Sequence, residues 1–165
     1  MENWRIGVGE TLEVISKIHE IFRERGLTLS IAESCTGGLI SHYITSLPGA
    51  SAFFEAGVVA YSIESKERIL GVSPEIISAH GVVSEETARD MAEKVRQLTG
   101  TACSLSTTGN LGPDVLEDKE AGLVYMAVST GTQTLSREMR FTGDRGEIKE
   151  SAALAALKLL VEGVA

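Results

Sequence analysis

Two hydroxyls, a thiol, a carboxylate and a glycine pair fall within seven residues, Ala32-Glu33-Ser34-Cys35-Thr36-Gly37-Gly38. An apolar, strand-like run (Leu27 to Ile31) precedes them and a helix-like run (Leu39 to Thr45) follows. Gly37 and Gly38 let the backbone take positive φ and approach a ligand closely. The first N–H groups of the following helix lack partners and sit at its positive end, so the turn suits an anion such as phosphate. In the alternative reading Ser34 or Thr36 simply caps the helix. No lysine follows the glycines, so this is not a Walker A loop, and the spacing is not GxGxxG. Three further segments carry usable groups: Ser62–Lys66, the turn Thr108–Asp114, and Thr142–Arg145. A cation at a helix start opposes the helix dipole. Arg145 therefore reads either as a partner for a ligand phosphate or carboxylate, or as plain solvent exposure.

These groups need a scaffold, and the hydrophobic pattern supplies one. Leu12, Ile15, Ile18 and Phe22 recur at helical spacing between Thr11 and Arg25, with Gly26 as a stop. Strands are expected at Leu27–Ile31, Phe53–Ser62 and Ala102–Thr107, and Leu47-Pro48-Gly49 breaks the helix between the first two. Glu64–Leu70 reads as a short helix, and Ser73-Pro74 opens a turn or helix reaching Ala79. Ser84 caps a helix whose buried face is Ala88, Met91, Ala92 and Val95. Val115–Glu120 is charged and expected to be exposed. Leu123–Thr130 and Thr134–Phe141 form a hairpin, and Asp144 with Glu147 makes a capping box for a long final helix. Five strands with interspersed helices indicate a single three-layer α/β/α domain. Ligands of such sheets bind outside the carboxyl ends of the strands, where the three segments and the Ser34 turn are expected to meet.

With 165 residues the chain builds one full core, not two. A net charge of −8 argues against broad binding to nucleic acid or anionic membrane, while leaving room for a local basic pocket. Cys35 and Cys103 have no metal-type spacing and make no disulfide framework. No apolar run is long enough to span a bilayer, and Met1–Glu10 is too polar for a signal peptide. These features read as a reduced, cytoplasmic protein without metal or cofactor.

The strings AESCTGGLIS, LPGASAFFEAGVVAYSIESKERILGV, AHGVVSEETARDMA, TGNLGPD and FTGDRGEIKESAALAAL, in this order, resemble the CinA C-terminal domain family over roughly Gly26 to Leu160. That family includes stand-alone nicotinamide mononucleotide amidases. The resemblance implies a mixed five-stranded sheet, a homodimer or higher homo-oligomer, and metal-free hydrolysis of nicotinamide mononucleotide to nicotinate mononucleotide and ammonia. It also implies that the N-terminal pyrophosphatase-like domain of longer members is absent, leaving one domain over 1–165. By position, Ser51 and Lys66 are assigned as a Ser–Lys dyad. Tyr61 is then the active-site tyrosine that orients the dyad, relays a proton or stacks on the pyridine. Ser34, Cys35, Thr36, Gly37 and Gly38 are assigned to substrate binding, with Thr108 and Gly109 near the amide and Arg145 near the nucleotide. A serine needs a base, and lysine can serve only with a lowered pKa. Cys35 is the rival nucleophile, because a thiol at a helix N-terminus is acidified. His80 could approach it in space; His19 and His42 lie on expected helices and carry no signal.

One stretch departs from the family pattern. Members usually read Thr-Gly-Ile-Ala-Gly-Pro followed by glycines, whereas here Thr108-Gly109-Asn110-Leu111-Gly112-Pro113-Asp114 runs into Val115-Leu116 and charged residues. Fewer glycines stiffen the loop and add side chains where substrate approaches. This opens a second reading, a catalytically silent domain that binds a nucleotide or a protein partner.

Overall fold

The computed structural model describes residues 8–165, so the polar stretch Met1–Gly7 lies outside the described residues. Helix α1 (Val8–Arg25) leads into β1 (Leu29–Glu33), α2 (Leu39–Thr45) and β2 (Phe54–Val59). A short helix α3 (Ile63–Ser65) runs into a π-helical turn at Lys66–Leu70, followed by α4 (Pro74–His80) and α5 (Glu85–Thr99). Strands β3 (Cys103–Gly109), β4 (Leu123–Ser129) and β5 (Thr134–Arg140) precede the last helix, α6 (Arg145–Val164). The five strands form one mixed sheet in the order β2-β1-β3-β4-β5. Strand β1 runs parallel to both β2 and β3, while β3–β4 and β4–β5 are antiparallel. The three-layer expectation holds. Among the described residues no helix is long and apolar enough to cross a membrane.

The pleat sorts side chains between the two faces. Leu29 and Ile31 of β1 and Cys103 and Leu105 of β3 enter the larger core with Phe22, Ile40, Leu157 and Leu160 of α1, α2 and α6. The alternate residues meet α5. Ala32 packs with Met91 and Val95, and the buried hydroxyls of Ser104, Ser106 and Thr108 donate to Ala92 O, Ala88 O and Val82 O at 2.5, 2.5 and 2.8 Å. These three hydroxyls sit two residues apart on one face of β3. Each finds a spare carbonyl lone pair, so a polar stripe is buried without an orphaned group. Small residues Ala88 and Ala92 bring α5 close enough for the first two of those bonds.

The buried stripe of α1 is Thr11, Ile15, Ile18 and Phe22, so Leu12, expected inside, is 40% exposed instead. Thr11 rather than Leu12 falls four residues before Ile15, on the row that faces the core. Asn110 lies fully buried at the end of β3, and Val115–Glu120 is mostly exposed as expected. Gly122 enters β4 at φ +90°, and a Cβ there would lie 1.9 Å from Phe141 O. Its own amide donates to Asn110 O at 2.7 Å. Gly122→Ala is expected to cost about 2–4 kcal/mol by clash and backbone strain, read as a lower denaturant midpoint at unchanged slope.

Candidate active site

At the carboxyl end of β1 the strand alternation sends Glu33 to one face and Ser34 to the other. The buried Glu33 carboxylate receives five donors from the turn and from α2. Oε2 accepts from Thr36 Oγ1 (2.6 Å), Gly38 N (3.1 Å) and Ile40 N (3.1 Å). Oε1 accepts from Ser41 N and Ser41 Oγ, both at 2.8 Å. This overturns the phosphate cradle expected at the start of α2, because the protein's own carboxylate already fills it. Neither Ser34 nor Thr36 caps the helix: Gly38 holds the cap position with φ +101°, and no side chain of its own bonds there. Thr36 Oγ1 also meets Thr107 Oγ1 at 2.8 Å, tying the turn to β3. Glu33 was not singled out from the sequence. Its signal was a carboxylate ending an otherwise apolar strand.

On the opposite face Ser34 N donates to Thr107 O at 3.0 Å, extending the ladder by one residue. Its hydroxyl accepts from Lys66 Nζ at 2.9 Å. Lys66 is 1% exposed, and its other two donors go to Ala60 O (2.9 Å) and Tyr61 O (3.3 Å). The π-helical turn beginning at Lys66 redirects this side chain inward from a surface segment, a placement such turns often serve. Burial pulls the Lys66 pKa from 10.5 to about 8, opposed by the nearby Cys35 sulfur. Burial likewise pushes the Cys35 thiol up to about 12. That thiol stays protonated near neutral pH, so burial governs Lys66. The acidified thiol expected of Cys35 is therefore overturned: burial outweighs the helix end, whose donors Glu33 occupies.

The structure does not bring Ser51 to Lys66. Ser51 is exposed, in the 3-10 turn Ala50–Ala52 before β2, whereas Ala60 and Tyr61 follow β2 at its other end. The six residues of β2 at about 3.3 Å each put roughly 20 Å between those ends. The serine facing the lysine is Ser34.

Of the other expected residues, Ser34, Tyr61, Lys66, Thr108 and Gly109 share one pocket, whose lining includes none of Cys35, Thr36, Gly37, Gly38 and Arg145. Ser34, Tyr61, Ile63, Lys66, Val82, Val83, Thr108, Gly109, Leu116 and Glu117 are among the residues lining a pocket of about 290 Å³. The Thr108 hydroxyl is spent on Val82 O, and Gly109 has no room for a Cβ, which would lie 2.6 Å from Leu123 O. Arg145 Nη2 donates to Tyr61 OH at 3.0 Å and Nη1 to Gly112 O at 2.7 Å. The guanidinium thus spans from the segment after β2 to the segment after β3, across the end of β1. His80 pairs instead with Glu86 (3.5 Å), and His19 Nε2 bonds Ile44 O at 2.9 Å, a link between α1 and α2. Among the described residues no group of three His, Cys, Asp or Glu side chains is placed to hold a metal ion.

The departing loop is latched at both ends. Asn110 Nδ2 donates to Leu116 O (3.1 Å) and Lys119 O (3.2 Å), and its Oδ1 accepts from Leu116 N at 3.1 Å. Glu117 accepts from Val82 N (2.6 Å), Val83 N (3.2 Å) and Lys119 Nζ (3.0 Å). Those bonds hold its carboxyl below the ordinary range despite the opposing effect of burial. Asn110 and Glu117 replace glycine flexibility with side-chain bonds and set Leu116 in the pocket wall.

The family described as "CinA C-terminal domain" matches residues 11–164. A CinA-like protein of Acidobacterium capsulatum is 46% identical over 153 residues, 92% of this chain and 36% of that protein. A putative competence-damage inducible protein of Desulforamulus reducens is 45% identical over 142 residues, 86% of this chain and 34% of that one. The chain thus spans about a third of the length of the curated relatives it matches. Among solved structures, the competence or damage-inducible protein from Enterobacter asburiae superposes with a TM-score of 0.91 at 33% identity, covering 94% of this chain and 98% of that one. The CinA superfamily protein from Klebsiella pneumoniae gives 0.90 at 32% identity, covering 93% and 97%.

Exchanging Glu33 for Gln keeps the size but turns an NH₂ toward backbone and hydroxyl donors. Glu33→Gln is expected to lose about 2–4 kcal/mol of stability, read by chemical denaturation.

Proposed function

Because the chain belongs to the CinA C-terminal domain family, we propose that it is an amidohydrolase whose nucleophile is Ser34 and whose base is Lys66. Its substrate in this reading is nicotinamide mononucleotide, deamidated to nicotinate mononucleotide and ammonia. The observation that carries the reading is the 2.9 Å contact between Ser34 Oγ and a buried lysine whose pKa falls to about 8.

A neutral lysine amine has two N–H bonds and one lone pair. Ala60 O and Tyr61 O accept the two N–H groups, which aims the lone pair at Ser34 Oγ. Lys66 then takes the hydroxyl proton as Oγ attacks the carboxamide carbon, forming a C–O bond and placing negative charge on the carbonyl oxygen. Among the described residues the amides of Cys35 and Thr36 donate to no protein acceptor, whereas Gly37 N already bonds Ser34 O. They are the donors available to that oxygen. Collapse of the intermediate breaks the C–N bond, and Lys66 returns its proton to the departing ammonia. Water, deprotonated by the same amine, hydrolyses the ester and restores Ser34. Carboxamide and water are consumed; carboxylic acid and ammonia leave.

Purified protein supplied with nicotinamide mononucleotide is expected to release ammonia. Ser34→Ala and Lys66→Arg should each lower turnover by a factor on the order of 10²–10⁴, since guanidinium stays protonated and cannot act as base. Ser51→Ala and Cys35→Ser should retain most of it. An active Ser34→Ala enzyme would sink the assignment, and absence of ammonia with intact nucleotide binding would favour the silent binding domain.

The pH profile follows from the sign of the lysine shift. The active form is the neutral amine, so kcat/KM should level off above about pH 8 and fall about tenfold per unit below it. A profile flat from pH 6 to 9 would exclude Lys66 as the base.

A further inference from the structure

We infer that Glu117 is a specificity-determining residue of the pocket. Its carboxylate selects ligands whose flat ring carries a positive charge, such as a pyridinium, over otherwise equal ligands whose ring is neutral. This role rests on the amidohydrolase reading for the placement of the carboxamide at Ser34. Glu117 lies in the segment where the chain departs from the family pattern, so the selection belongs to this chain's own loop.

Charge is scarce in the pocket. Among the described residues, the lining holds one carboxylate, Glu117, and one amine, Lys66. The proposed active form has Lys66 neutral, which leaves Glu117 as the full charge facing a bound ligand. The other acid nearby, Glu33, does not line the pocket and is saturated by donors from its turn and α2.

The latch that holds the loop also keeps Glu117 ionised. Burial opposes its charge, but the amides of Val82 (2.6 Å) and Val83 (3.2 Å) and Lys119 Nζ (3.0 Å) together outweigh burial and hold the carboxyl below the ordinary range. A carboxylate has about four lone-pair sites, so three donors do not exhaust it. Lys119 is its counter-ion, yet the two ends of the pair face differently. The Lys119 ammonium is drawn to Val83 O and His80 O and is absent from the lining, whereas the Glu117 side chain is 27% exposed and lines the pocket. The pair therefore presents its negative end to a ligand.

The remaining wall amplifies that preference. Ile63, Val82, Val83 and Leu116 are apolar, and Tyr61 is the aromatic side chain among the lining residues. Apolar surface favours a flat ring whatever its charge. It also displaces water, so the Glu117 charge is screened less than it would be in bulk solvent. An aromatic ring attracts a cation as well. A pyridinium spreads its charge over a flat ring and uses both kinds of surface at once; a neutral ring uses only the first, and an anionic ring is repelled.

The test reads binding without turnover. Ser34→Ala protein is titrated calorimetrically at about pH 9, where Lys66 is mostly neutral, with nicotinamide mononucleotide and with its 1,4-dihydro form. The two share carboxamide, ribose and phosphate, and the dihydro ring has lost the positive charge. The quantity read is the ratio of their dissociation constants, from which any general loosening of the loop cancels. The oxidised form is expected to bind more tightly. Glu117→Gln keeps an acceptor oxygen for the Val82 and Val83 amides and should cut that preference roughly 5–20-fold, the scale of one charge pair offset in part by Lys119 and solvent. Glu117→Asp, which keeps the charge, should retain most of the preference even if both affinities fall. Lys119→Met removes the counter-ion and should raise the preference; it decides alone if Glu117→Gln does not fold. A preference absent before Glu117 is altered, one changed less than about twofold by Glu117→Gln, or one that does not rise in Lys119→Met would overturn the assignment. So would the absence of binding by both forms at millimolar concentration. Failure of the amidase reading looks different: the Glu117-dependent preference persists while the unsubstituted protein releases no ammonia from nicotinamide mononucleotide.

Discussion

The site depends on a carboxylate that takes no part in the proposed chemistry. Glu33 gathers five donors from the turn and the first residues of α2 into one buried anion. Without it, three backbone amides and two hydroxyls would lose an acceptor, each at a cost of about 1–3 kcal/mol if buried. Charge-assisted bonds to a helix start are among the stronger ones available. They fix the path of the chain from Glu33 to Ser41, and therefore the point at which Ser34 leaves the sheet. The adjacent residue on the other face can then be the reactive one, because a strand separates consecutive side chains.

Lys66 carries the complementary constraint. Its burial disfavours the charged form and lowers the amine's basicity, so the amine is neutral often enough near pH 8 to take up a proton. The cost is met locally by three oxygens, and the π-helical turn supplies the unusual backbone path that takes a lysine inward. The same burial acts in opposite senses on Lys66 and Cys35, keeping the amine available and the thiol inert. Two neighbouring potential nucleophiles or bases are thus separated by one environment.

The fold was largely legible because its signals are local. Helix caps at Ser84 and Asp144, the apolar face of α5 and the hairpin β4–β5 each depend on residues close in sequence. Of the candidate site, the sequence marked Ser34, Tyr61, Lys66, Thr108 and Gly109, which share one pocket, but not how they are wired. Ser51 and Ser34 look alike in sequence, and only the end of the sheet at which each emerges distinguishes them. The free N–H groups expected at the start of α2 were a correct inference about helices in general. Glu33, five residues before the Gly38 cap, satisfies them from the adjoining strand. Whether Cys35 is acidified depends on depth in the protein, which a helix-start pattern does not report. Asn110 read as a polar intrusion and is instead the latch of its loop.

That latch separates two kinds of information along the chain. Asn110 and Glu117 fasten the segment 111–121 to the ends of β3 and α4 through hydrogen bonds that involve neither Ser34 nor Lys66. The proposed Ser34–Lys66 pair is held by β1, the end of β2 and the π-helical turn, on the other side of the pocket. The loop therefore behaves as a cassette: its composition can be rewritten between its fastenings while the Ser34–Lys66 contact stays in the frame. For protein engineering, that makes 111–121 the place to vary what the pocket accepts, leaving the Ser34–Lys66 contact to the strands.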